Sequence, residues 1–210
     1  MSRHSPSLWS RLSPYWLWAL LALPGAGMAW QLATTDNARI YHILVHPTGE
    51  FAARFLIITM LASPLVLLFK GAAFPRWLKK NRRYFGVASF AYALAHTAFY
   101  LIDKGALGGD FARVINEMPR LYIWTGWLAF AIFIPLAVTS ADWAVRAMGP
   151  RWKTLQRWTY PAAVLTLVHW AALHDWGHPT AALVHFGPLA ALEAYRLWYW
   201  YLRPRQPRVA

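Results

Sequence analysis

"FAYALAHTAFYL", residues 90–101, has the composition of the middle of a membrane span, yet it carries a histidine. An imidazole in hydrocarbon costs free energy unless both ring nitrogens are satisfied, so His96 reads as a functional position. A second such residue, His169, lies in "AVLTLVHWAAL", residues 163–173. With one helix entering the bilayer near Tyr84 and the other near Trp158, the two histidines sit about 18 and 17 Å from the same membrane face at 1.5 Å per residue. Two imidazoles at one depth on parallel helices are what bis-imidazole ligation of a haem iron requires. The alternative is that each histidine hydrogen-bonds a neighbouring helix and fixes packing.

Composition sets the solvent. Of the 210 residues, 58% are apolar and only 14% are charged, too few charges for a water-soluble domain of this size. Fourteen Trp and a net charge of +13 agree with a bilayer, because Trp settles at the interfaces while Lys and Arg collect in cytoplasmic loops. The basic balance therefore implies anionic lipid rather than nucleic acid. Cysteine is absent, which excludes disulfides, thiolate zinc sites, iron–sulfur clusters and thiolate-ligated haem.

Runs of roughly 20 apolar residues, enough to cross a core of about 30 Å, occur at about 14–34, 51–69, 84–102, 121–139, 158–174 and 180–201. The expected fold is all-α, a six-helix transmembrane bundle forming a single domain over 1–210, with its core at about 46–201. Arg3 and Arg11 precede an apolar run ending in "PGAGMAW", as in a signal peptide, but the uncharged stretch from Leu12 to Thr35 is long enough to be a retained first helix. Three basic segments, "KGAAFPRWLKKNRR", "RAMGPRWKTLQR" and "RPRQPR", fall on one side of such a bundle and predict cytoplasmic N- and C-termini. Loops 35–50, 103–120 and 175–179 are then outside, with Asp36, Asp103, Asp110, Glu117 and Asp175. No Gly-rich phosphate loop follows a strand, so reducing equivalents come from another protein or from the membrane.

Other candidates surround the pair. His185, near the outer start of the sixth span, is a rival ligand or a partner of the cofactor. Arg54, at the outer end of the second span, suits a haem propionate or a quinone head group, or serves as an interfacial anchor. His42, His46, His174 and His178 lie at the outer interface, where histidines are usually solvated. His4 falls in the N-terminal tail.

From Arg82 to Trp170 the chain resembles the haem-binding membrane subunits of bacterial periplasmic methionine sulfoxide reductase systems, within the ferric reductase-like transmembrane superfamily. The resemblance is carried by "RRYFGVASFAYALAHTAFYL", "LAVTSADWAVRAMGPRWKTLQRWTY" and "VLTLVHW", with weaker support from "HPTGEFAARFLIITMLASPL". It implies a b-type haem in the bacterial inner membrane, passing electrons from quinol or a cytoplasmic flavin reductase to a molybdopterin-containing periplasmic reductase subunit. Quinone and FMN are the further cofactors it brings in. His96 and His169 fall on that family's ligand positions, and His46 matches a third recurrent histidine. Where that family commonly has a histidine in "W..LH", this chain has Gln156. An amide does not normally replace imidazole on haem iron, so one haem is expected rather than two. Two further readings belong to other classes: a haem-free accessory or assembly subunit, and a ferric or quinone reductase-like sister of the family.

Overall fold

The structure, a computed structural model, describes residues 15–173, 176 and 179–203. Arg3, His4, Arg11, His174, Asp175, His178 and most of the "RPRQPR" segment lie outside the described residues. Within them the chain is helical and holds no strand. In chain order the helices are α1 (Tyr15–Thr34), α2 (Ile40–Leu68), α3 (Ala73–Asp103), α4 (Ala112–Glu117), α5 (Leu121–Val138), α6 (Asp142–Met148), α7 (Pro150–Gln156), α8 (Thr159–Ala171) and α9 (Thr180–Leu197). A 3₁₀ turn at Ala106–Gly108 and a π turn at Trp198–Leu202 complete them.

Three helices, α2, α3 and α5, are long and apolar enough to cross a membrane. The other expected spans are helical too, as α1, α8 and α9, but do not reach the same combination of length and apolarity. Two expected boundaries are corrected. The second helix starts at Ile40, not near 51, because Pro47 and Gly49 are absorbed into it rather than breaking it. In a buried helix the carbonyl that a proline frees can be satisfied by neighbours, so "HPTGE" does not end the segment. The third helix starts at Ala73, not near 84, since a run of Lys and Arg projecting beyond the apolar layer is compatible with helix. The connections expected as loops also carry α4, α6 and α7.

The packing forms a ring. α2 and α3 make the most extensive pair and α5 and α8 the next, while α3 touches α5 and α2 touches α8. The two histidine-bearing helices, α3 and α8, are therefore diagonal to each other across the ring, as are α2 and α5. α9 closes over α2 and α8, and α1 leans on α3 and α2. At the basic end Arg83 binds Asp142 at 2.5 Å, tying α3 to α6.

How α1 is attached depends on one hydroxyl. Pro24 lies inside α1 and has no N–H to give. One residue on, the Gly25 N–H donates to Tyr92 Oη at 2.7 Å, and that hydroxyl donates to the Leu21 carbonyl at 2.9 Å. The Tyr92 hydroxyl is thus spliced between the two ends of a helical hydrogen bond of α1. Gly25 is needed for the approach, since a Cβ there would lie 3.1 Å from Tyr92 Oη. Tyr92→Phe leaves a buried donor and acceptor without this partner, a loss of about 1–3 kcal/mol. It should lower the melting temperature in detergent and expose α1 to protease first; a Tyr92→Phe protein with unchanged melting and cleavage would show that the hydroxyl does not hold α1.

Candidate functional site

His96 on α3 and His169 on α8 meet inside the ring, ring centroids 5.9 Å apart and planes at 88°. Both are half-buried, their open faces turned to cavities that they share with Ala52, Ala93, Phe130 and Phe133 on one side and with His46, Tyr100 and Lys104 on the other. Each ring is anchored from behind. His96 Nδ1 lies 2.8 Å from the Val45 carbonyl, and His169 Nδ1 is hydrogen-bonded to the Tyr122 carbonyl. A carbonyl can only accept, so Nδ1 carries the proton in both rings and Nε2 keeps its lone pair. The anchoring helices bring glycine to the contact: a Cβ on Gly49 would stand 2.8 Å from His96 Nδ1, and one on Gly126 would stand 2.7 Å from His169 Nδ1.

This donor set suits haem. Two neutral imidazoles with unengaged Nε2 atoms and centroids 5.9 Å apart would have room to hold one iron between them, since an imidazole–metal bond is about 2 Å. Among the described residues no group of three or more His, Cys, Asp or Glu could hold a bare ion. A porphyrin would bring the remaining donors itself and would need only the two imidazoles.

The remaining sequence candidates assemble into a separate chain. Glu50 links His46, at 3.3 Å from its Nε2, to Arg54, at 2.7 Å from Nη2, and Arg54 Nε reaches His185 Nε2 at 3.4 Å. His185 also bonds the Ala181 carbonyl through Nδ1 and lies against Trp170, ring centroids 4.9 Å apart and planes tilted by 39°. Both its nitrogens are engaged, unlike those of His96 and His169. His46 alone of these three lines the cavity shared by the pair. His42 binds Asp103 at 3.2 Å on the same rim. Toward the basic end, a polar cavity lined by Ser63, Arg82, Trp152 and Gln156 has no imidazole among its described residues, and Gln156 Nε2 donates to the Leu136 carbonyl at 3.3 Å.

Sequence reading missed the anchors. Val45 and Tyr122 act through main-chain carbonyls that any residue would supply, and Gly49 and Gly126 act through lack of a side chain. It also missed Glu50, the common partner of His46 and Arg54.

Fold and site together define an α-helical membrane protein with a centre of paired histidines. The chain belongs to the family described as ferric reductase like transmembrane component, which matches residues 48–167, ending two residues short of His169. It is similar to the "Protein-methionine-sulfoxide reductase heme-binding subunit MsrQ" of Brucella ovis, Brucella canis and Brucella suis. Each is 34% identical over 165 residues, covering 77% of this chain and 70% of the relative.

The cavity rim is held by Glu117. Burial alone would raise its pKa, but hydrogen bonds from Lys104 and Tyr100, with the charges of Lys104 and Arg120, outweigh it and hold the carboxyl below its ordinary 4.5. A carboxyl with a lowered folded pKa contributes stability above its unfolded value, and that contribution is lost as pH falls through the folded one. Wild type should therefore melt higher than Glu117→Gln at pH 7, with the gap closing as pH drops below about 4.5. Parallel melting curves from pH 7 to 3 would contradict this.

Proposed function

We propose that this chain is a haem-binding electron-transfer subunit of the inner membrane, with His96 and His169 as the axial pair of one b-type haem. The observation that carries the reading is the adjacent pair of imidazoles, centroids 5.9 Å apart, each with Nδ1–H spent on a backbone carbonyl and Nε2 left for iron. When bound, the haem supplies a one-electron couple. The chain's own part is to fix, shield and tune. The Val45 and Tyr122 carbonyls hold each ring in one tautomer and raise the basicity of its Nε2. Phe130 and Phe133 keep one side of the site apolar. On the other side Lys104 lines the cavity and is a cation suited to a haem carboxylate, already balanced by Glu117, whereas Arg54 lies outside that lining, paired with Glu50.

The same geometry supports a polarity. His169 is two residues from the end of α8 and His96 seven from the end of α3, both at the end away from the basic loops. With six spans and cytoplasmic termini, the haem lies toward the periplasm, and delivery outward is the shorter hop. The acceptor is then a periplasmic reductase subunit, of the methionine sulfoxide reductase kind by analogy with the relatives, and the donor is quinol or a cytoplasmic flavin reductase. Exposed Asp36 and Asp110 remain to attract the acceptor, whereas Asp103 and Glu117 are occupied within the rim.

Protein made in haem-replete cells should show reduced-minus-oxidised bands of low-spin b haem at about one haem per chain. His96→Ala and His169→Ala should each abolish them, and His46→Ala should not. Perpendicular imidazole planes should also give a strongly anisotropic low-spin ferric EPR signal. Full low-spin haem in the His96→Ala protein would refute the ligand pair, and two haems per chain would refute the stoichiometry.

Because the chain has no cysteine, topology can be read by adding one. A thiol-reactive, membrane-impermeant label should reach Asp110→Cys in intact spheroplasts and Lys153→Cys only after lysis. The reverse pattern would overturn the orientation.

A further inference from the structure

A six-residue pattern occurs twice in the structure, once opposite each histidine. Residues 44–49 on α2, "LVHPTG", and 121–126 on α5, "LYIWTG", share Leu-x-x-x-Thr-Gly. In both, the second residue supplies the carbonyl that binds imidazole Nδ1, and the final glycine makes room for the ring. In both, the threonine is fully buried, 1% exposed at Thr48 and 2% at Thr125. Its hydroxyl turns back on the same turn of helix: Thr48 Oγ1 lies 2.7 Å from the Leu44 carbonyl and 2.9 Å from that of Val45. Thr125 Oγ1 lies 2.7 Å from the Leu121 carbonyl and 3.3 Å from that of Tyr122.

A threonine back-bonded in this way bends its helix. Its one proton goes to the leucine carbonyl, the shorter contact in both, and the hydroxyl is thereby seated beside the carbonyl used by the imidazole. We propose that Thr48–Gly49 and Thr125–Gly126 are duplicate positioning elements, which set the angle and depth at which His96 and His169 present Nε2 to the haem iron. The threonine fixes the carbonyl, the carbonyl fixes Nδ1, and the glycine lets the ring come close enough for both. The two elements lie on diagonal helices of the ring, each near the N-terminal end of its helix. Threonine, glycine and carbonyl act through the histidines and touch no iron themselves.

This inference rests on the haem reading of the histidine pair, and its test separates the two. The variants are Thr48→Val, Thr125→Val, Gly49→Ala and Gly126→Ala, with Thr48→Ser and Thr125→Ser as conservative rescues. Gly86→Ala on α3 is the control, because its Cβ would meet nothing closer than Thr59 Cγ2 at 3.7 Å. Haem content, the g values of the ferric low-spin signal and the midpoint potential are read on purified protein. The glycine changes should weaken haem retention by roughly 10-fold to 100-fold, the range seen when the supports of metal ligands are removed. The valine changes, which keep the volume close to that of threonine, should shift g values and potential; serine should restore both, and Gly86→Ala should leave all three unchanged. Should an alanine variant fail to accumulate, the valine and serine pair on the same helix decides. A wild type with low-spin haem whose g values and potential are unmoved in Thr48→Val and Thr125→Val would overturn this proposal alone. A wild type without low-spin haem would overturn the haem reading and this proposal with it.

Discussion

The site depends on a hydrogen bond that a helix does not ordinarily have to spare. Main-chain carbonyls inside α2 and α5 are already committed to their own helices, yet Val45 and Tyr122 each also take an imidazole N–H from the helix beside them. Without that bond a histidine in hydrocarbon would carry two unsatisfied nitrogens and would be driven to turn toward water. With it, each ring is fixed at one nitrogen and open at the other. The neutral tautomer, the adjacency of the rings and the glycines that admit them all follow from this arrangement.

The rest of the bundle protects this geometry. The ring of α2, α3, α5 and α8 keeps the histidine helices diagonal, so the space between them is enclosed rather than closed by direct helix contact. α1 is held by the Tyr92 hydroxyl, and the Tyr92 ring also sits among Phe51 and Phe55 of α2, with ring centroids 5.6 and 5.4 Å away. One residue thus joins three helices. On the rim, polar groups are matched in short chains, His42 with Asp103, and His46 through Glu50 and Arg54 to His185, so the mouth of the cavity is polar without bearing a large uncompensated charge.

Much of this was legible in the sequence because hydrocarbon is a strict solvent. Apolar length located the helices, and two histidines in apolar runs stood out as the residues that such runs do not tolerate idly. Their meeting, at 5.9 Å between centroids, follows from equal depth on parallel helices. Helix boundaries were less legible. Pro47 and Gly49 look like a turn in isolation, and the basic run before Tyr84 looks like a loop, but packing and helix continuity override both local signals. The anchors were the least legible, since a carbonyl leaves no mark on the sequence. Only the recurrence of Thr-Gly, four residues after a leucine, hinted at them, and a motif that short stands out only once the histidines opposite it are known.

The unequal lengths of the two histidine-bearing helices carry a mechanical consequence. α3 has 31 residues and is continuous from the basic segment at Arg76–Arg83 to His96, whereas α8 has 13 residues and ends just past His169. At 1.5 Å per residue α3 is about 46 Å long, and the part that follows its basic run, from Tyr84 to Asp103, is about 30 Å, the thickness of a hydrocarbon layer. A thicker or thinner bilayer is met by tilting a long helix, while a short one embedded among its neighbours has little leverage. Changes in lipid thickness therefore act on the helix that carries His96 more than on the short one that carries His169, so that the spacing of the pair is open to the membrane from one side only.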